Sequence, residues 1–267
     1  NPTQKYDYVG CVDPMWGNYL FTLLFAPSST PEKILERHVA WGAKISKEFP
    51  PRFKHRPEAH AKRAKLRVGY LSADLRQHSV TAFIGAVFKH HDPAQFEIFA
   101  YSTSASFDAV SAAIESEVFA WRDVAHKTIA ETAQIIHEDQ LDVLVELSGH
   151  TQGTRLEVCA LKPAPIQATY LGYPSTTGLK TIDYRLTDAW ADPVGLTDAQ
   201  HCEKLMRIPD SGWCYEPVMQ PAQTFAALPP SERNGFITFG SFNNIAKFNA
   251  PLCDLWVEIL QRVPESR

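Results

Sequence analysis

Cysteine is scarce and poorly spaced for chemistry. The chain holds five, Cys11, Cys159, Cys202, Cys214 and Cys253, and no C-x-x-C pair occurs. That excludes a zinc ribbon and a thioredoxin-type site. An odd number at wide spacing points to reduced thiols and a cytoplasmic protein. Cys159 lies in the apolar run Val158–Leu161 and reads as a small core residue. Positive charge is not in excess: 26 Lys and Arg against 30 Asp and Glu leave a net charge of −4, so no global field points to nucleic acid. No apolar run approaches the roughly 18–20 residues of a membrane span. The opening NPTQKYDYVG has neither the basic nor the apolar region of a signal peptide. It also lacks a starting Met, so a fragment of a longer protein is expected. Hydrophobic residues at 45% and charged residues at 21% are a globular composition, which excludes wholesale disorder and a fibrous protein. A length of 267 residues suits one large domain, or one domain with pieces of others.

The common site motifs are missing too. G-x-G-x-x-G, Walker A, H-E-x-x-H and G-x-S-x-G do not occur. Neither does D-x-D, which weakens a metal-bound diphosphate site. His90-His91 closes a predicted helix, where the dipole favours cations, and reads as a cap more than a metal pair.

What is present is a change of period along the chain. Residues 1–50 read as helical and peripheral. Thr30 is placed to cap a helix with Pro31 in its first turn, and Ile34, His38, Trp41 and Ile45 would share one face. Residues 51–67 carry seven Lys or Arg and one Glu and read as a solvated linker. From Leu66, strands at 66–74, 96–104, 141–149 and 165–173 alternate with helices after Val80, at 106–119 and at 127–138. Weaker strands follow at 184–188 and 204–208. This alternation predicts βαβ units and a parallel sheet covered on both faces. A proline-rich stretch after Pro209 reads as an interdomain connection. Then a strand is expected at 235–242, followed by an amphipathic helix carrying Leu252, Leu255, Trp256, Ile259, Leu260 and Val263 on one face. A lone βα unit cannot bury its own faces, so a second α/β domain is expected to begin here.

In open α/β sheets, ligands bind beyond the carboxyl ends of the strands. The polar residues gather there. The first strand ends at Ser72-Ala73-Asp74, with His78 following and Ser79 a candidate helix cap. The third ends at Ser148-Gly149-His150-Thr151. The fourth ends at Leu171-Gly172-Tyr173-Pro174. The strand of the second domain ends at Ser241-Phe242-Asn243-Asn244, with Lys247 just beyond.

These strand-end segments carry a family resemblance. KLRVGYLSADLRQHSV, LVELSGHTQGTRLEVCALKPAPIQATYLGYPSTTGLKTIDYRLTDAWADP and FITFGSFNNIAKFNAPLCDLWVEILQRVPES resemble the catalytic region of the O-linked N-acetylglucosamine transferases and the related SPINDLY-type transferases, glycosyltransferase family 41. The likeness covers roughly residues 65–267. It implies an α/β fold of GT-B type, with two Rossmann-like lobes and a nucleotide sugar in the cleft. The expected division is a helical connector after tetratricopeptide repeats at 1–65, an N-terminal catalytic lobe at 66–215, an interlobe connection at 216–234, and the start of a truncated C-terminal lobe at 235–267. No repeat of about 34 residues is visible within the chain itself. Animal members carry a long insertion between lobes, and the short connection here looks bacterial or plant-like.

The reaction implied is inverting transfer of a sugar from a nucleotide diphosphate to a Ser or Thr hydroxyl of a protein, with no metal and no cofactor. By that resemblance Lys247 contacts the diphosphate. A fixed ammonium neutralises leaving-group charge without a metal. His78 matches the histidine after the first strand, as general base or as a positioning group. His150 and Thr151 match the G-H-T segment of plant and bacterial members and would line the cleft. Animal enzymes have Tyr in place of His150, which argues against an indispensable acid or base there. Leu171, Gly172 and Pro174 would shape the sugar pocket, and Asn243 and Asn244 would bond donor oxygens. Ala246 departs from the animal Tyr, so no role is carried over for it. UDP-GlcNAc is the expected donor and a Ser/Thr-containing protein or peptide the acceptor, with no nucleic acid or membrane partner. GDP-fucose in a SPINDLY-type O-fucosyltransferase is the alternative, and a non-catalytic scaffold or an unrelated nucleotide-binding module are the others. The fragment alone is expected to be inactive, because the missing lobe supplies most nucleotide contacts.

Overall fold

The computed structural model describes residues 14–55, 63–216 and 228–267. Backbone contacts divide the chain into two units, one of residues 1–24 and 30–218, the other of residues 25–29 and 219–267.

The larger unit is built on seven parallel strands: β1 (Leu66–Ser72), β2 (Phe96–Ser102), β3 (Ala120–Asp123), β4 (Val143–Glu146), β5 (Ile166–Tyr170), β6 (Tyr184–Thr187) and β7 (Lys204–Arg207). Their order is β3-β2-β1-β4-β5-β6-β7, every pair parallel. The order reverses between β1 and β4, the switch point where such sheets open a crevice at their carboxyl ends.

Alternation along the strands serves two cores. Leu71, Phe99, Tyr101 and Leu144 join one cluster, with residues of α1 (Pro14–Leu23), α2 (Pro31–Glu48), α5 (Ile129–Glu138) and α6 (Leu156–Ala160). Tyr70, Ile98, Ala100 and Val145 join the other, with α3 (Thr81–His90) and α4 (Ala109–Glu117). Cys159 is buried in the first, as expected.

Helix α2 follows its sequence signals. The Thr30 hydroxyl accepts from Lys33 N, Pro31 opens the first turn, and His38, Trp41, Gly42 and Ile45 are buried. Thr128 and Glu131 form a reciprocal cap at α5, as do Asp108 and Ser111 at α4.

Some expectations fail locally. Ser79 is not the cap of α3: Val80 holds that position in helical conformation with no side-chain cap bond. The Thr81 hydroxyl instead lies 2.7 Å from the His78 carbonyl and 2.8 Å from that of Arg76, and closes the turn ahead of the helix. The helix expected to run to residue 119 stops at Glu117, and the short edge strand β3 follows. Its sequence, Ala-Trp-Arg-Asp, carries no alternation that marks a strand. Helix α6 was also not expected.

In the smaller unit, α7 (Pro230–Asn234) and α8 (Ala250–Arg262) are the helices. Asn249 caps α8 by accepting from Leu252 N, with Pro251 in its first turn. The strand expected at 235–242 does not form as a strand. Arg267 N donates to the Ile237 carbonyl and Phe239 N donates to the Arg267 carbonyl, a parallel-type exchange one pair long. Helix α8 buries none of its residues. Residues 217–227, most of the expected interlobe connection, lie outside the described residues, as do 56–62 of the basic linker. Among the described residues no helix is long and apolar enough to cross a membrane.

Candidate functional site

Because every strand of the larger unit runs the same way, the loops carrying His78, His150, Thr151, Leu171, Gly172 and Pro174 leave the sheet at one edge. The β1 and β4 loops flank the switch point and touch, through Ala73 N donating to Ser148 Oγ at 3.4 Å.

His78 follows β1 and has a side chain 37% exposed. Its Nδ1 accepts from Val80 N at 3.3 Å, and its Nε2 lies 3.7 Å from Asp74 Oδ1. An accepting Nδ1 leaves the proton of the neutral ring on Nε2. In this geometry His78 presents Nε2–H as a donor, on the edge of the ring that faces Asp74. Asp74 is itself buried, and burial raises its carboxyl above the usual range, although His78 and the nearby Arg76 oppose the rise.

The β4 loop is built on Glu146. This carboxylate is enclosed at the end of the strand, with Oε2 accepting from Ser148 N at 3.1 Å and Gly149 N at 2.8 Å, and Oε1 from the Thr169 hydroxyl. Burial raises its pKa, and those three donors only partly offset the effect. His150, expected to line the cleft, is placed elsewhere. It is 2% exposed, with its Nε2–H donating to the Thr177 carbonyl at 2.8 Å and its ring edge-on to Trp41 at 4.5 Å. Burial, helped by nearby His38, pushes its pKa down to about 3, so the ring is neutral. It is a core residue because α2 covers it, and no local signal announces that. Thr151 closes its own turn, its hydroxyl donating to the Ser148 carbonyl at 2.8 Å.

Strand β5 ends in a sharp reversal. Leu171 has φ +73° and Gly172 N donates to the Tyr170 carbonyl at 2.9 Å, which makes a γ-turn of the rare positive-φ kind. Such strain in a bulky residue persists only where the surroundings enforce it. Here the neighbour is the β4 end: a Cβ on Gly172 would lie 1.8 Å from the Leu147 carbonyl oxygen. Only glycine permits that approach. Beyond the turn, Leu171 and Pro174 line a cavity of about 140 Å³ together with Arg185, Asp188, Asp192 and Trp213.

The polar wall of this cavity was not singled out from sequence. Arg185 donates to the Tyr173 carbonyl at 2.8 Å and lies 3.3 Å from Asp192. Burial alone would raise Asp192, but bonds from His201 and Thr187 and the charge of Arg185 hold it well below the usual carboxylate range. Asp188 accepts from Trp190 N, Ala191 N and Gly212 N, and so fixes the loop after β6. A charge set inside an apolar run is the signal that would have found Glu146, in LVELSG; Arg185 and Asp188, in DYRLTD, carry no such mark.

In the smaller unit, Lys247 Nζ donates to Asn243 Oδ1 at 2.9 Å, and Asn244 Oδ1 accepts from Ala246 N at 2.9 Å. The three residues form one exposed turn just ahead of α8. Among the described residues no group of three or more His, Cys, Asp or Glu side chains is arranged around a metal position. Cys159, Cys202, Cys214 and Cys253 are free thiols.

The chain is 39% identical over 261 residues to the SPINDLY protein of Oryza sativa subsp. japonica and 38% identical over 254 residues to that of Solanum lycopersicum, each named as a probable UDP-N-acetylglucosamine–peptide N-acetylglucosaminyltransferase. Both alignments cover 94% of this chain and 27% of the relative, so the chain spans about a quarter of their length. A solved O-GlcNAc transferase variant from Thermobaculum terrenum superposes with a TM-score of 0.85 at 29% identity, covering 96% of this chain and 48% of that one. The α/β architecture of GT-B type expected from the sequence agrees with that likeness. The profile described as glycosyl transferase family 41 matches residues 22–216, and the chain belongs to that family.

Proposed function

We propose that this chain is part of a protein O-glycosyltransferase that transfers N-acetylglucosamine from UDP-GlcNAc to Ser or Thr hydroxyls of a protein, with inversion and without a metal. The observation that carries the reading is the enforced γ-turn at Leu171-Gly172, which shapes a cavity at the carboxyl ends of the strands in a chain whose relatives are named for this donor.

In the reaction, the acceptor oxygen forms a bond to the anomeric carbon as the bond from that carbon to the diphosphate oxygen breaks. The acceptor hydroxyl passes its proton to water or to a phosphate oxygen of the donor, and UDP leaves carrying the electron pair. Lys247 neutralises the charge gathering on the leaving diphosphate. Asn243, bonded to the same ammonium, fixes where it points. His78 orients a substrate oxygen through Nε2–H, with Asp74 on the same edge of the ring. This geometry favours a positioning role over that of general base, since the accepting nitrogen is already engaged by Val80 N. Leu171, Gly172 and Pro174 bound the sugar, and Thr151 and Asn244 hold the turns beside their neighbours. The protein works in the cytoplasm on a protein or peptide acceptor.

Calorimetric titration of UDP and of GDP into the full-length protein, followed by peptide glycosylation, tests the reading. Preferential UDP binding is expected. Preferential GDP binding would replace the donor with GDP-fucose, the SPINDLY-type alternative. A folded protein that binds neither would be a scaffold.

A further inference from the structure

The segment that carries the γ-turn does not stand alone at the sheet edge. Helix α2, far upstream in sequence, is fastened to it by backbone and by side chain. A Cβ on Gly42 would lie 1.8 Å from the Gly178 carbonyl oxygen, and a Cβ on Gly178 would lie 2.1 Å from that of His38. The two backbones therefore touch. His38, fully buried on the same helix face, places Nδ1 2.7 Å from the Ile34 carbonyl and Nε2 2.7 Å from the Tyr173 hydroxyl.

A carbonyl only accepts, so Nδ1 carries the proton. Burial keeps the ring neutral, which leaves Nε2 to accept from the Tyr173 hydroxyl. Tyr173 stands between Gly172 and Pro174, and its carbonyl accepts from Arg185 in the cavity wall. His150 fills the remaining space, with its ring 5.1 Å from His38 and 5.2 Å from Tyr173. No other hydrogen-bonding side chain of α2 reaches this segment among the bonds described.

We infer that His38 is a positioning residue that acts through the Tyr173 hydroxyl to hold Leu171–Pro174 against the cavity, so that α2 and the donor pocket move as one body. The inference rests on the proposed function, because it takes this cavity as the donor pocket. Its consequence is a route by which a displacement of the N-terminal helices reaches the site without touching substrate.

The test uses the full-length protein with four substitutions. Tyr173→Phe keeps the ring and removes the donor. His38→Leu removes the acceptor. His38→Gln restores an amide in reach of the hydroxyl. Ile45→Ala weakens the same helix face away from Tyr173. Two readouts are taken: steady-state kinetics with the donor varied, and amide hydrogen exchange over residues 171–178. Tyr173→Phe and His38→Leu are expected to raise the donor KM by about fivefold, roughly the worth of one neutral hydrogen bond, with kcat nearly unchanged. Exchange at 171–178 should quicken in both. His38→Gln should recover most of the KM, and Ile45→Ala should leave KM alone while lowering the melting temperature. Should Ile45→Ala raise KM as much as Tyr173→Phe, or should both His38→Leu and Tyr173→Phe leave KM and exchange unchanged, the inference is overturned. Wild-type protein without donor turnover would instead overturn the function reading. Exchange then judges the coupling by itself, and unchanged rates in Tyr173→Phe would end it.

Discussion

Lowering the pH from 7 to 5 should cost this fold about 2 kcal/mol through His150 alone. The ring is enclosed by Trp41, His38 and Tyr173 and bonded to the Thr177 carbonyl, and its folded pKa is about 3. In the unfolded chain a histidine titrates near 6.5. Between those two values the unfolded state binds a proton that the folded state refuses, so stability falls as the pH falls. The slope approaches about 1.4 kcal/mol per pH unit in the middle of the window, and the whole effect approaches about 5 kcal/mol near pH 3. His38 and His91 are also held down by burial and act in the same direction. Asp74 and Glu146, held up by burial, act in the opposite one. The measurement is therefore a difference. Guanidinium unfolding at pH 7, 6 and 5 is compared between the wild type and His150→Phe, which keeps a ring in place but cannot titrate. The variant loses the bond to Thr177 and should start lower at pH 7. Its decline from pH 7 to 5 should nevertheless be shallower by about 2 kcal/mol. Parallel declines in the two proteins would mean that His150 is protonated freely in the folded state, and the enclosure described here would be wrong.

Three further outcomes are expected. Gly172→Ala forces the γ-turn away from the Leu147 carbonyl and should destabilise by about 2–4 kcal/mol in denaturant unfolding while weakening donor binding. Gly42→Ala should also destabilise, whereas Gly85→Ala on α3, where nothing lies within 4 Å of the new Cβ, should stabilise by about 0.5–1 kcal/mol; thermal melting of the two variants should thus shift in opposite directions. Lys247→Ala should lower kcat about 100-fold or more with little change in melting temperature, since the side chain is exposed and bonded only to Asn243 among the contacts described.

Much of the strand-end layout was legible because it rests on local patterns. The β-rich run ending Ser72-Ala73-Asp74 announces both a buried strand and a polar edge, and Thr30-Pro31 announces the start of α2. Four of the features that mattered were not legible, each for a physical reason. β3 is a short edge strand whose stability comes from pairing with β2, not from its own pattern. The expected strand at 235–242 has the right pattern, but among the described residues its one ladder-type exchange is with Arg267. His150 looks like a loop residue because the helix that buries it lies far away in sequence. The γ-turn at Leu171 is imposed by the close approach of Gly172 to β4, which no window around residue 171 contains. The positions of His78 and Lys247 beyond strand ends were read from the pattern, their roles came from the resemblance, and the structure adds their neighbours, Asp74 and Asn243.

The contact between Gly42 and Gly178 bears on how the larger unit could be cut free. The sheet begins at Leu66, which invites a boundary there. A fragment begun at that point would strip Tyr173 of its hydrogen-bond acceptor, uncover the His150 ring, and leave the Gly178 backbone facing water where a helix backbone had been. Leu20 and Leu23 of α1 belong to the same core as Trp41 and Ile45. The smallest piece that can be excised with its pocket intact therefore starts ahead of Pro14, and the two leading helices travel with the sheet as its floor.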